Sequence, residues 1–83
     1  MDTVTEIDAL GLLCPLPVLR LRKRISGLSP GSIVRVLADD PAAAIDIPHF
    51  CAEAGHEFLD QTPLNGAEPQ DGKAPRAFTI RLG

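Results

Sequence analysis

The chain has 83 residues, of which 45% are hydrophobic and 23% charged, and its formal net charge is −3. This length predicts one small domain, and this composition is typical of a globular chain. No apolar run is long enough to cross a bilayer, and the acidic balance argues against direct binding to nucleic acid. The first six residues lack the basic segment of a secretory signal, so we expect a cytoplasmic protein that does not contact membranes.

The first elements surround a cysteine. Residues 4–8 alternate apolar and polar side chains and predict a strand with one buried face. After a turn at Gly11, the motif Cys14-Pro15-Leu16-Pro17 opens a helix predicted over residues 15–26. Proline is tolerated in the first helical turn because the N–H groups there have no intrahelical acceptor. Cys14 therefore falls at or beside the helix N-cap, where the helix dipole favours an anion, and we expect its thiol to ionise easily.

The two faces of this helix differ sharply. Apolar residues three or four positions apart predict the inward face, namely Val18, Leu21, Ile25 and Leu28, widened by Leu19. The opposite face holds half of all the basic side chains, Arg20, Arg22, Lys23 and Arg24. This basic face is either simply solvated or, through Arg20, Lys23 and Arg24, a docking surface for an acidic partner.

A second strand and helix follow. Residues 32–38 are β-branched and mostly apolar, which predicts an interior strand parallel to the first through a right-handed crossover. Asp40 is predicted to cap a helix that begins at Pro41 and ends at Gly55. Because Pro48 interrupts it, either Asp46 caps a fresh start or the helix is kinked. The predicted inward face is Ile47, Cys51 and Ala54, with Ile45 or Phe50 alongside.

The remaining chain predicts two more strands, over residues 56–60 and 77–82, separated by a mobile loop over residues 61–75. The element order is then β-α-β-α-β-β. We expect an α+β fold, a two-layer α/β sandwich with two helices packed on one face of a four-stranded mixed sheet, formed by residues 1–83 as a single domain.

The motifs resemble the TusA (SirA-like) sulfur-carrier family. Three blocks carry the resemblance, which extends over residues 8–59: Asp8-Ala9-Leu10-Gly11-Leu12 with the C-P-x-P motif, Ser29-Pro30-Gly31, and Ala38-Asp39-Asp40-Pro41 with Asp46-Ile47-Pro48 and Phe50-Cys51. The resemblance implies the same β-α-β-α-β-β fold. It also implies a sulfur carrier with sulfurtransferase activity, in which Cys14 accepts sulfane sulfur as a persulfide and Pro15 and Pro17 shape the helix start.

Partners follow from the same resemblance. A cysteine desulfurase or a rhodanese-like protein would donate the sulfur, and an acceptor protein would pass it to tRNA 2-thiouridine, to molybdenum-cofactor synthesis or to dissimilatory sulfur oxidation. Such a protein is a co-substrate of other enzymes, needs no cofactor and is expected to be a monomer when free. Leu13 and Leu16 stand where many members have a basic residue and a glutamate, so a more apolar partner surface is expected.

Alternatives remain for the cysteines. Cys14 is a persulfide carrier, or it is a structural cysteine in a regulatory, protein-binding module. Cys51 is expected to pack in the core, with a secondary redox role as the alternative. A disulfide between the two would make a thiol redox protein, but no C-x-x-C pair is present. The spacing of Asp39, Asp40, Asp46, His49 and His56 matches no standard metal site, so we expect no bound metal.

Overall fold

The computed structural model describes residues 4–64 and 75–83. Its elements are β1 (Val4–Asp8), α1 (Leu16–Ile25), β2 (Ile33–Ala38), α2 (Ala43–Ala54), β3 (Glu57–Pro63) and β4 (Arg76–Arg81). The strands form one sheet in the order β1-β2-β4-β3. The predicted order of elements and the predicted α+β class are confirmed.

The sheet is mixed, with its parallel pair at one side. β1 runs parallel to β2, with Ile7 opposite Val36, and β4 runs antiparallel to both β2 and β3. β2 is therefore an interior strand, as its β-branched sequence predicts. Since α1 and α2 each follow one strand of the parallel pair, both helices begin near the same edge of the sheet.

One core joins the helices to the sheet. The helices contribute Leu21 from α1 and Ala43, Ile47 and Cys51 from α2, all at most 2% exposed. The strands contribute Ile7, Val34, Val36, Ala38, Phe78 and Ile80. Val18, Ile25 and Leu28 pack at the margin of this cluster, which confirms the predicted stripe of α1. Burial of these aliphatic side chains is the main favourable term in folding.

Leu19 and Ala54, which are predicted to face inward, are exposed, and so is Ile45, one of the two alternatives for that face. Leu19 is 48% exposed, Ile45 is 74% exposed, and Ala54 is also exposed. Leu19 lies two positions from the buried Leu21, as Ile45 does from Ile47, and two positions turn a helix by about 200°, to the opposite side. Ala54 is the last residue of α2, where the chain turns away at Gly55. Of the two alternatives, Phe50 packs against the core and Ile45 does not.

The second helix begins later than predicted and is not divided. Residues 41–42 form a turn, and α2 runs without interruption from Ala43 to Ala54 with Pro48 inside it. Asp40 accepts the N–H of Ala42 at 3.2 Å and so caps this turn, whereas Asp46 does not start a new helix. Pro48 removes one helical hydrogen bond. Burial of Ile47 and Cys51 on either side of it holds the helix together.

The end of α2 and the strand after it also need correction. Gly55 ends the helix at φ +81°, a left-handed conformation that favours glycine, as predicted. β3 then extends to Pro63, so residues 61–63 are strand and not part of the predicted loop. Residues 65–74 of that loop lie outside the described residues. No helix in the described ranges has the length and apolar character needed to cross a membrane.

Two isoleucines on α2 give a direct test of this core. Ile47→Ala removes a fully buried side chain and should lower the free energy of unfolding by about 2–5 kcal/mol. Ile45→Ala makes the same chemical change on the exposed face and should alter it by about 0.5 kcal/mol or less. Urea denaturation of both variants measures the difference. Equal destabilisation by the two substitutions would contradict the assigned orientation of α2.

Candidate functional site

Cys14 lies in the connection between β1 and α1, directly before the N-cap residue Pro15. It is exposed, and α1 begins two residues later at Leu16. This position at the mouth of the helix confirms the placement predicted from the prolines. The neighbouring Leu13 and Leu16 are 57% and 47% exposed, so aliphatic side chains flank the cysteine on the surface.

Carboxylates from the β2–α2 junction hold this connection in place. Asp39 accepts the N–H of Gly11 at 3.1 Å, and Asp40 accepts the N–H of Cys14 at 2.6 Å. Gly11 has φ +79°, where a side chain would strain the backbone. Because β1 and β2 are parallel, the loops after them meet at one edge of the sheet, and the two aspartates reach the cysteine loop across that edge.

The Cys14 thiol has a carboxylate partner. Its Sγ donates a hydrogen bond to Oδ2 of Asp46 at 2.8 Å, from the first turn of α2. The sequence does not predict this contact, because Asp46 lies 32 residues from Cys14 and its local pattern indicates only a cap for a helix start. The available signal was topological, because helices that follow two parallel strands bring their first turns together.

These carboxylates reverse the predicted acidity of the thiol. The hydrogen bond to Asp46 raises the pKa of Cys14 above its ordinary value, and desolvation and the negative charges of Asp46 and Asp40 raise it further. The helix N-terminus offers little in opposition. Pro15 and Pro17 have no N–H, and the N–H of Leu16 donates to the carbonyl of Leu13. The prediction of an easily ionised thiol is wrong for the free protein.

An open groove extends from Cys14 between the two helices. Its volume is about 300 Å³, and its lining is Cys14, Pro15, Val18, Arg22, Asp46, His49, Phe50 and Glu53. His49 and Glu53 form an ion pair one helical turn apart when the imidazole is protonated. The groove therefore has an apolar floor from Val18 and Phe50 and charged walls.

Three of the four basic residues of α1 border two separate depressions. Arg22 lines the Cys14 groove, whereas Arg20 and Lys23 border a shallow depression with Leu12, Leu16 and Leu19. Arg20 also donates to the carbonyl oxygen of Asp8 at 2.9 Å, which ties α1 to the end of β1. Arg24 is exposed and lines neither depression.

The other candidate residues take part in core packing or in hydrogen bonds to the backbone. Cys51 is buried at 1% exposure, as predicted, and burial raises the pKa of its thiol. Both cysteines are free. His56 accepts the N–H of Gly83 through Nδ1. Within residues 4–64 and 75–83, no three His, Cys, Asp or Glu side chains converge as a metal site requires.

Comparison with known proteins identifies the family. The family model for sulfurtransferase TusA matches residues 5–68, which is most of the chain. The chain belongs to the TusA family. A crystal structure of a SirA-like protein from Desulfitobacterium hafniense is similar over 93% of this chain and 96% of that one, with 28% identity and a TM-score of 0.59. The resemblance stated from the motifs is thus confirmed, and the TusA match includes both Cys14 and Asp46.

The acidity of Cys14 can be measured through Asp46. Asp46→Asn removes the negative charge beside Sγ, which favours the neutral thiol, so the pKa of Cys14 should fall. The rate of iodoacetamide alkylation at Cys14, followed by peptide mass as a function of pH, should then rise at a lower pH than in wild type. Glu53→Gln removes a charge from the same groove without touching Sγ and should shift this profile less. A profile that stays in place in Asp46→Asn would contradict the assigned contact.

Proposed function

We propose that this TusA-family protein is a sulfur carrier that accepts sulfane sulfur as a persulfide on Cys14 and passes it to an acceptor protein. The observation that carries the proposal is the exposed Cys14 thiol at the mouth of α1, inside the region that matches the family. A cysteine that only filled a loop–helix junction would be buried, as Cys51 is.

The transfer is a thiol–persulfide exchange. The Cys14 thiol loses its proton, and the thiolate attacks the outer sulfur of a persulfide on the donor. A bond forms between Sγ of Cys14 and that sulfur, while the S–S bond of the donor breaks. The donor cysteine leaves as a thiolate and takes up a proton. One sulfur atom changes carriers with no net oxidation or reduction, so no cofactor is needed.

The open groove suits a protein partner. A donor persulfide at the end of a side chain or loop must reach Sγ, and the groove between the helices gives access from solvent. We propose a cysteine desulfurase or a rhodanese-like protein as donor. The acceptor would belong to a relay for tRNA 2-thiouridine, molybdenum-cofactor synthesis or sulfur oxidation, and the carrier acts as co-substrate of these enzymes.

Sulfur loading tests the proposal. After incubation with a cysteine desulfurase and L-cysteine, or with a rhodanese-like donor, the intact mass of the wild-type protein should increase by one sulfur atom. Cys14→Ser should take up none, because it lacks the nucleophile. Cys51→Ala removes the buried thiol and should load like wild type. Equal loading of wild type and Cys14→Ser would show that Cys14 is not the carrier.

A second prediction concerns the docking role proposed for Arg20, Lys23 and Arg24. Lys23 borders the depression formed by Leu12, Leu16 and Leu19, and an acidic partner surface would favour approach to it. Lys23→Gln should slow sulfur transfer from the protein donor at low ionic strength, with a smaller effect at high salt. The rate of Cys14 alkylation should stay unchanged.

Arg81→Gln is the matched control for this experiment. Arg81 pairs with Ile33 at the start of β2, the end of the sheet away from Cys14, so its loss should leave the transfer rate as in wild type. Equal slowing by the two substitutions would assign the effect to net charge and contradict docking through α1.

A further inference from the structure

The hydrogen bond between Cys14 and Asp46 is unexpected in a protein whose cysteine must act as a nucleophile. The thiolate is the reactive form of a cysteine, and a neighbouring carboxylate disfavours it. Sγ and Oδ2 are 2.8 Å apart, and Cys14 is fixed toward α2 because Asp40 holds its N–H. The hydrogen bond from Sγ to Asp46 therefore follows from the position in which Asp40 holds the loop between β1 and α1.

Asp46 is poorly suited to be a general base for this thiol. Carboxylates are ordinarily weaker bases than thiolates by about four to five orders of magnitude. Transfer of the Cys14 proton to a carboxylate is then far more uphill than its loss to water near neutral pH. The carboxylate holds the proton on sulfur instead of removing it.

The groups around the thiol do not offset this effect in the free protein. Asp40 from the β2–α2 junction adds a second negative charge. From α2, Glu53 lines the same groove but pairs with His49, and the only cation from α1 that lines the groove among the described residues is Arg22. The groove is open, so an incoming protein can reach the Asp46 carboxylate together with Sγ.

We propose that Asp46 is a specificity-determining residue, which shields Cys14 in the free carrier and is drawn away from Sγ by the protein that exchanges sulfur with it. This inference rests on the proposed function. The partner would bring a cationic or hydrogen-bond-donating group that binds the carboxylate better than a thiol does, and that difference in binding releases Sγ. Cys14 then loses its proton to solvent, and the exchange proceeds with the bond changes described above. Small electrophiles and small persulfides do not dock on the protein, so they hold no such group in place against Asp46 and meet the shielded thiol.

The test compares a small donor with a protein donor of the same chemistry. Rates of sulfur transfer to Cys14 are measured at neutral pH from glutathione persulfide and from a cysteine desulfurase charged with L-cysteine. In Asp46→Asn, the rate from glutathione persulfide should increase several-fold, and its dependence on pH should shift to lower pH. The rate from the desulfurase should stay the same or fall, because in wild type the partner already removes the shield and in the variant its group loses the carboxylate that it binds.

Two further variants separate shielding from structural effects. Asp46→Glu keeps a carboxylate and should retain the wild-type preference for the protein donor. Glu53→Gln removes a charge from the same groove and should also retain it. If Asp46→Asn accelerates both donors by the same factor, or accelerates neither, the proposal is wrong.

The result that would contradict the carrier role differs from the result that would contradict shielding by Asp46. Wild-type protein that takes no sulfur from either a desulfurase or a rhodanese-like donor would contradict the carrier role. The reaction with glutathione persulfide still tests the shield in that case, since a rate unchanged by Asp46→Asn overturns it.

Discussion

The site depends on hydrogen bonds that join the loop after β1 to the carboxylates after β2. Asp39 and Asp40 accept the N–H groups of Gly11 and Cys14 and fix the connection that carries the thiol. This is possible because β1 and β2 are parallel and adjacent, so that their carboxyl ends lie at one edge of the sheet. Ligand and reaction sites in open α/β sheets commonly lie at this edge, where loops are free to vary on a rigid scaffold.

The same arrangement decides the acidity of the thiol. A helix N-terminus carries the equivalent of about half a positive charge, typically worth 0.3–1 kcal/mol at an exposed position. The Asp46 carboxylate lies directly beside the sulfur and accepts a hydrogen bond from the thiol, which keeps the proton on Sγ. The carboxylate therefore outweighs the dipole. Two prolines near the start of α1 strengthen this outcome because they lack the N–H groups through which a helix N-terminus stabilises an anion.

Much of the fold could be predicted from the sequence because its signals are local. Alternation defined β1 at its observed bounds, and the spacing of Val18, Leu21 and Ile25 defined the inward face of α1. The errors arose where tertiary packing overrode a local signal. Pro48 suggested a break in α2, but burial on both sides of it keeps one helix, and pairing with β4 extends β3 through residues that resemble a loop.

Only part of the candidate site, Cys14 and its neighbouring prolines, could be predicted from the sequence. Cys14 and its prolines are adjacent in sequence, so their relation could be inferred directly. Asp46 is 32 residues away, and its role depends on two helix starts meeting at one edge. The exposed Ile45 next to it shows the same limitation, because periodicity alone admitted either Ile45 or Phe50 on the inward face.

The central claim is that Cys14 carries sulfur in the working protein. Its most direct test is to isolate the protein from its own cells, trap persulfides with an alkylating reagent at once, and locate the extra sulfur by tandem mass spectrometry of peptides. The peptide containing Cys14 should carry one additional sulfur between the cysteine and the alkyl group, and that containing Cys51 should carry none. Extra sulfur confined to Cys51, or its absence from Cys14, would contradict the account.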